Sequence, residues 1–198
     1  MPDKPRCDKQ GQPAGLTVGL VALAVCLTLF SGNTLIAAES PGATESQVKA
    51  VFLFNFAKYV DWPDAAFSNT NAPITIGLIG TDPFGDKLEH VIEGKTVKSR
   101  PFVIKHLASD AELSGCQILF ISHSEAPRMR EIMAKAGPLP ILTVGEDETF
   151  AQNGGIINFV LKNGNVRLEI DLAAARKAGV TISSRLLAVA DVVKGKTN

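Results

Sequence analysis

The stretch Ile74-Thr75-Ile76-Gly77-Leu78-Ile79 is almost wholly apolar and rich in β-branched residues. Such a run is typical of a strand buried on both faces, as in a parallel sheet covered by helices. Further strand patterns follow at Phe102 to Leu107, Ile118 to Ser122 and Ile141 to Val144. Helical spacing separates them at Phe84 to Ile92 and Ala126 to Ala136. This alternation predicts the α/β class, with a mostly parallel sheet flanked by helices.

A β-hairpin is predicted downstream around Asn163-Gly164, the strongest short signal for a two-residue turn. Its strands are Ile156 to Leu161 and Val166 to Ile170. One face then pairs only apolar residues: Leu161 with Val166, Phe159 with Leu168 and Ile157 with Ile170. The other face pairs Val160 with Arg167 and Asn158 with Glu169. We therefore expect this C-terminal hairpin to be added to the sheet.

Helices are predicted at both ends of the domain. The first spans Gln47 to Tyr59, with Ser46 as its N-cap and with Lys49, Asn55 and Lys58 as polar breaks in an apolar segment. It ends before Pro63, because proline disfavours helical geometry at the preceding Trp62. Two further helices are expected near the C-terminus, at Ala173 to Ala178 and, capped by Ser183 or Ser184, at Arg185 to Val193.

Residues 1–38 have the form of a secretory signal peptide, cleaved after Ala38. Basic residues precede the uncharged run Leu16 to Phe30, and small residues follow it. A retained membrane anchor is the alternative, for which fifteen uncharged residues are short. We expect residues 39–45 to form a flexible leader and residues 46–198 a single exported domain.

The composition limits the classes of function. The 198 residues include 20 basic and 20 acidic side chains, and without residues 1–38 the numbers are 17 and 18. Such a chain has no basic field for a phosphate backbone, so we expect no binding to nucleic acid. Cys116 is the one cysteine left after cleavage, which excludes an internal disulfide, and its apolar setting predicts burial.

Polar residues follow the predicted parallel strands. Ligands of such sheets gather at the carboxyl ends of the strands. A small-molecule pocket is therefore possible at one set of residues: Thr81, Asp82, Ser122, His123, Gly145 and Glu146.

Signatures of catalysis and cofactor binding are missing. Gly77, Gly80 and Gly85 do not have the spacing of a nucleotide-binding loop. The three histidines lie on separate predicted elements, which argues against a metal site, and no serine stands in a G-x-S-x-G elbow. We expect no cofactor and no enzyme activity; the enzyme alternative would rest on Ser122, His123 or Cys116.

Several aromatic and charged residues are candidates for a contact surface. Trp62 follows Lys58 and Tyr59 at a turn, and it is either an interface anchor or a staple packed under the sheet. Arg167 and Glu169, on the polar face of the hairpin, form either a surface ion pair or a contact. Arg185 is either solvated or paired with Glu169.

The chain resembles the YfiR-like family of exported bacterial proteins in three motifs. These are VKAVFLFNFAKYVDWP at residues 48–63, GGIINF with VRLEID at residues 154–159 and 166–171, and ISSRLLAVA at residues 182–190. They cover almost the whole predicted domain in the family's order. Arg167 and Glu169 match the family pattern, whereas Leu168 and Asp171 replace a Phe and an Asn.

The resemblance implies a periplasmic negative regulator that binds the periplasmic sensory region of an inner-membrane diguanylate cyclase. Release of this restraint, through an outer-membrane lipoprotein with an OmpA-like domain, raises cyclic di-GMP and favours biofilm formation. We expect a homodimer, since such cyclases are dimeric. A periplasmic small-molecule sensor is the alternative. The candidate partner-binding residues are Lys58, Tyr59, Trp62, Asn158, Arg167, Glu169 and Arg185.

Overall fold

The computed structural model describes residues 44–194. The predicted signal peptide and most of the predicted leader lie outside these residues. Five α-helices are described: α1 Glu45–Tyr59, α2 Lys87–Ile92, α3 Met129–Ala136, α4 Leu172–Lys177 and α5 Ser184–Leu187. The strands are β1 Val60–Asp61, β2 Ile74–Ile79, β3 Thr96–Val97, β4 Arg100–Leu107, β5 Ile118–Ile121, β6 Leu142–Gly145, β7 Ile157–Lys162, β8 Asn165–Asp171, β9 Thr181–Ile182 and β10 Asp191–Val193.

Eight strands form one mixed sheet in the order β10-β8-β7-β6-β5-β2-β4-β3. The five strands from β7 to β4 run parallel to one another, while β8 is antiparallel to β7 and β3 is antiparallel to β4. The predicted α/β class, with a mostly parallel sheet flanked by helices and a C-terminal hairpin added to it, is confirmed. Strands β1 and β9 form a separate antiparallel pair.

Alternate residues of the central strands enter two different cores. On β2, Ile76 packs in the cluster that contains Leu53 and Phe56 of α1, whereas Ile79 packs in the cluster that contains Ile132 of α3. All six residues of β2 are buried, as their apolar character predicts. The sheet is therefore covered on both faces at its centre.

The first helix is capped by a residue other than the predicted one. Thr44 Oγ1 accepts the backbone N–H of Gln47, and the Gln47 side chain accepts the backbone N–H of Thr44. This reciprocal capping box satisfies two donors at the helix start, which Ser46, now inside the first turn, cannot do. The helix ends at Tyr59, and the next residue, Val60, takes an extended conformation and pairs with Ile182 of β9.

The hairpin has the predicted register, with Leu161 opposite Val166, Phe159 opposite Leu168 and Ile157 opposite Ile170. Asn163 and Gly164 have φ angles of +53° and +74°. Two successive positive φ angles define a type I′ turn, whose twist matches that of the flanking strands.

The predicted helix from Arg185 to Val193 is wrong over most of its length. Helix α5 ends at Leu187, and Asp191–Val193 forms β10 instead. Here β10 pairs in parallel with β8, with Val192 aligned to Ile170. The β-branched valines suit an extended edge strand, and β8 supplies backbone partners that the local sequence could not reveal.

The ring of Phe150 is buried between two glycines. A Cβ atom added at Gly145 or Gly155 would lie 2.3 or 2.1 Å from that ring, far inside van der Waals contact. The glycines therefore allow the ring to lie directly against the backbone of β6 and of the segment before β7.

We expect Gly155→Ala to lower the free energy of unfolding by about 2 kcal/mol or more, because the new methyl group overlaps the Phe150 ring. Denaturant unfolding of the variant would measure the change. Combining Gly155→Ala with Phe150→Leu should cost less than the sum of the two single changes. Strict additivity would contradict a direct clash between these two residues.

Candidate functional site

Loops that follow β2, β5 and β6 meet at one edge of the sheet. The backbone N–H of Thr81 donates to Ser124 Oγ at 2.9 Å, and that of His123 donates to Glu146 Oε1 at 3.3 Å. Ser122 is buried, and its Oγ accepts the backbone N–H of Ser124. The structure thus brings Thr81, Ser122, His123 and Glu146 together in what we call the strand-end cluster.

Asp82 lies apart from these hydrogen bonds. Its Oδ1 accepts the backbone N–H of Phe84 at 2.7 Å, which shapes the loop before α2. Its Oδ2 lies 4.0 Å from His106 Nδ1. Asp82 therefore belongs to the loop after β2 and not to the network of Ser122, His123 and Glu146.

A buried lysine from the first helix completes the strand-end cluster. The Nζ atom of Lys49 donates to Glu146 Oε2 at 2.8 Å and also pairs with Glu45. In the sequence, Lys49 is predicted only as a polar break in the apolar segment that forms α1. Its spacing from Leu53 and Phe56 places it on the buried stripe of the helix, and this was the one available signal.

The environment of Lys49 favours its charged form. Burial lowers the pKa of the ammonium, but the hydrogen bonds to Glu146 and Glu45 outweigh this effect, so the pKa lies above its ordinary value. Because Glu146 also accepts the N–H of His123, one carboxylate joins α1 to the loops after β5 and β6.

Asp147 organises the loop after β6. Its pKa is lowered, first by the hydrogen bond from the Thr149 hydroxyl at 2.6 Å, with burial opposing, and further by the Thr149 N–H and by His123. The Nδ1 atom of His123 lies 2.9 Å from Asp147 Oδ2. His123 is therefore engaged by a structural carboxylate, and no nucleophile lies beside it in these contacts.

Asn158 is buried and supports the same loop. Its Nδ2 donates to the backbone carbonyl of Asp147 at 3.0 Å. Within residues 44–194, its Oδ1 atom has no hydrogen-bond partner. This predicted partner-binding residue therefore faces the interior, and its side chain is not part of the exposed surface.

The strand-end cluster is joined by hydrogen bonds and an ion pair, and a small-molecule pocket at these residues stays a prediction. Four concavities of the described chain, with volumes between about 380 and 670 Å³, are lined by other residues. Within residues 44–194, no group of three or more His, Cys, Asp or Glu side chains could hold a metal ion. What the arrangement does is tie α1 to the sheet.

The aromatic candidates before the second strand pack against the domain. The indole Nε1 of Trp62 donates to the backbone carbonyl of Gln117 at 2.9 Å, and its ring packs on the main core. Tyr59 is half-buried, and Lys58 is exposed with its ammonium 4.3 Å from the Phe54 ring. Trp62 therefore fits the staple alternative, since both its ring and its donor have internal partners.

Among the charged candidate residues, some form ion pairs inside the domain and others do not. Glu169 pairs with Lys162 at 3.4 Å, and Lys162 also bonds Asp191 at 2.9 Å. Arg167 and Arg185 are exposed, and neither forms a hydrogen bond or an ion pair within the described residues. Neither arginine is the partner of Glu169, so both guanidinium groups remain available at the surface.

Exposed hydrophobic side chains gather at the hairpin end of the sheet. Leu161 of β7, Val192 of β10 and Val189 before it have exposed fractions of 57%, 56% and 60%. Arg167 and Val189 line one concavity of about 380 Å³. We call Leu161, Arg167, Val189 and Val192 the β10 edge surface; by register, Leu161 and Val192 lie on one face of the sheet and Arg167 lies on the other.

Cys116 is buried and free, as its apolar surroundings predicted. Burial raises the pKa of its thiol, while Lys105 opposes this effect. The thiol is thus held in its unreactive neutral form.

Of the helices between residues 44 and 194, none has the length and apolar character that crossing a membrane requires.

The chain is similar to proteins of one family and to solved structures. The sequence model of the family described as YfiR/HmsC-like matches residues 46–191. A solved structure of a conserved domain protein from Vibrio cholerae O1 biovar El Tor strain N16961 is similar, with 12% identity and a TM-score of 0.52 over 76% of this chain. The ABC domain in complex with L-Trp from Streptococcus pneumonia matches over 75% of this chain, with 12% identity and a TM-score of 0.49. The matched region spans 60% of the length of each of these two chains.

We expect Lys49→Met to lower the free energy of unfolding by about 3 kcal/mol, because it leaves the largely buried Glu146 carboxylate without its cation. Denaturant unfolding would measure the change. Lys58→Met is the matched control on the same helix, and its exposed ammonium over Phe54 should contribute about 1 kcal/mol or less. Equal losses for the two variants would contradict a special role of the buried pair.

The pH dependence of this contribution has a definite sign. Because folding raises the pKa of Lys49, its stabilisation is complete below the ordinary value of 10.5 and is lost as the pH rises through the higher folded value. The difference in unfolding free energy between the unsubstituted chain and Lys49→Met should thus stay constant from about pH 7 to about pH 9 and shrink above 10.5. A difference that grows with alkaline pH would contradict the assignment.

Proposed function

Because the chain belongs to the YfiR/HmsC-like family, whose model matches residues 46–191, we propose that it is a periplasmic negative regulator of an inner-membrane diguanylate cyclase. The regulator binds the periplasmic region of the cyclase and lowers cyclic di-GMP synthesis. The family match is the single observation on which this proposal rests. It supports a regulatory role in the periplasm, and the cyclase is the specific partner that we propose.

The β10 edge surface is the contact region that we assign to this partner. Protein interfaces combine exposed apolar anchors with arginine, and three of the five large exposed hydrophobic side chains of the described residues lie here. Arg167 adds a guanidinium group without an internal ion pair. Trp62 and Asn158, in contrast, use their side-chain donors inside the domain.

The open edge of the sheet supports the same assignment. Strand β10 is the last strand in the order, and among residues 44–194 it pairs with β8 alone. An edge strand leaves one row of backbone N–H and C=O groups unpaired, which an extended segment of a partner can satisfy. Exposed Val189 and Val192 then flank the line along which such a segment would lie.

Regulation requires that the protein bind one state of the cyclase more tightly than the other. Preferential binding to the inactive state lowers synthesis, and removal of the regulator restores it. Competition by an OmpA-like outer-membrane lipoprotein would provide this removal. A homodimer of the regulator would match the symmetry of a dimeric cyclase.

We expect Val189→Asp and Arg167→Glu each to weaken binding to the cyclase by about 2 kcal/mol, or about thirtyfold, because they remove an apolar anchor and reverse a contact charge. Biolayer interferometry with the purified periplasmic region of the cyclase would measure the affinity. In cells that lack the gene, these variants should fail to lower cyclic di-GMP, measured by mass spectrometry, whereas the unsubstituted protein lowers it.

Val103→Asp and Lys105→Glu are matched controls, since both residues are exposed on β4, near the opposite edge of the sheet. They should leave both readouts unchanged, and thermal unfolding should show that all four variants are folded. Arg185→Glu tests the other unpaired arginine among the predicted partner-binding residues, on α5. A loss of binding confined to Arg185→Glu would move the contact away from β10, and absence of any cyclase binding by the unsubstituted chain would reject the function itself.

A further inference from the structure

The largest of the four concavities, about 670 Å³, lies between α3, α4 and the segment before β7. Its apolar lining includes Met133 of α3 and Ile141 before β6. This volume lies within the range of small-molecule sites in proteins. The concavity is separate from the strand-end cluster and from the β10 edge surface, because it shares no residue with either.

Two cations line this concavity from different helices. Arg130 belongs to α3 and Lys177 is the last residue of α4. Neither forms a hydrogen bond or an ion pair within the described residues. The carboxylates around α3 are already engaged, since Asp110 and Glu131 pair with Arg128 and Lys135. Arg130, which lines the concavity, is therefore left without an ion-pair partner among the described residues.

One acidic residue, Asp171, also lines the concavity. Its Oδ1 accepts the backbone N–H groups of Ala173 and Ala174 at 2.7 and 3.0 Å, so the carboxylate serves as the N-cap of α4. The two cations thus outnumber the acidic groups of the lining. The concavity has a net positive charge and an apolar floor.

A neighbouring concavity of about 580 Å³ shares three lining residues with the first: Arg130, Gln152 and Asn153. Arg130 therefore stands at the junction of one continuous groove. A ligand bound in the groove meets the guanidinium group near its middle and the Lys177 ammonium at the α4 wall.

We propose that this groove binds a linear dicarboxylate. One carboxylate pairs with Arg130, whose planar guanidinium suits a bidentate contact, and the other pairs with the Lys177 ammonium. The methylene chain between them lies on Met133 and Ile141. Two cations on separate walls favour two separated anionic groups over one. This site is independent of the proposed contact with a cyclase.

Titrations followed by two-dimensional amide NMR of the purified protein test the proposal directly. The probes are succinate, glutarate, adipate and suberate, whose carboxylates are progressively further apart. We expect saturable shifts at Arg130, Gln152 and Lys177, with one chain length binding best. Arg130→Gln and Lys177→Gln should each weaken that best probe by about tenfold, because each removes one charge-assisted contact.

Matched controls separate a specific site from general charge effects. Arg176→Gln removes an exposed cation next to Lys177 that does not line the groove, and its affinity should be unchanged. Butyrate, with one carboxylate, should bind more weakly, and neutral succinamide should not bind. The amide spectra of the variants also show whether each one is folded.

Three outcomes would overturn the proposal. The first is absence of saturable shifts with every dicarboxylate up to about 10 mM. The second is binding that does not change in folded Arg130→Gln and Lys177→Gln. The third is equal affinity for butyrate, succinamide or inorganic phosphate, which would show that the two carboxylates are not recognised together.

Discussion

The centre of the sheet is apolar on both faces, and both faces have to be removed from water. On one face α1 supplies this cover, with Ala50, Leu53, Phe56 and Ala57 almost fully buried. Burial of such side chains stabilises the fold by about 25 cal/mol for each Å² of apolar surface removed from water. The position of α1 in turn determines where Lys49 lies, and hence which carboxylates must be close to it. Glu146 meets this requirement, and through it the loops after β5 and β6 are joined to the helix.

The faces of the sheet are less completely buried where the hairpin and β10 extend it. On the face opposite α1, Val160, Arg167 and Glu169 are half-buried or exposed. Leu161 and Val192 lie on the α1 side of the sheet by register, beside Val166 and Ile170, yet both are largely exposed. A domain that ends in an exposed apolar edge has a place at which a partner can dock. This edge is therefore the part of the described domain to which we assign the proposed contact.

Some polar side chains have partners inside the domain and others are left for solvent, and this difference bears on function. Three side chains that were candidates for binding have partners inside the domain. Trp62 and Asn158 donate to backbone carbonyls, and His123 lies beside the carboxylate of Asp147. Among the described cations that form no hydrogen bond or ion pair, Arg130, Arg167, Lys177 and Arg185 are exposed side chains on α3, β8, α4 and α5. A buried hydrogen-bond donor without a partner destabilises the fold, so buried polar groups form hydrogen bonds inside the domain. Exposed polar groups can be solvated by water in the free protein and are therefore available to bind a partner or ligand.

Features whose physical cause is local can be predicted from the amino-acid sequence. Continuous apolar runs determined β2, β5 and β6, and Asn163-Gly164 determined the hairpin and its register, because a two-residue turn with positive φ leaves one way to align the strands. The meeting of Thr81, Ser122, His123 and Glu146 followed from the parallel order of the strands. Packing in three dimensions, in contrast, brings Lys49 to Glu146, 97 residues away, and Trp62 to Gln117, 55 residues away. It also decided that Asp191–Val193 is a strand, because β8 supplies its backbone partners. These outcomes depend on which groups are brought together by packing, and no window of neighbouring residues contains that information.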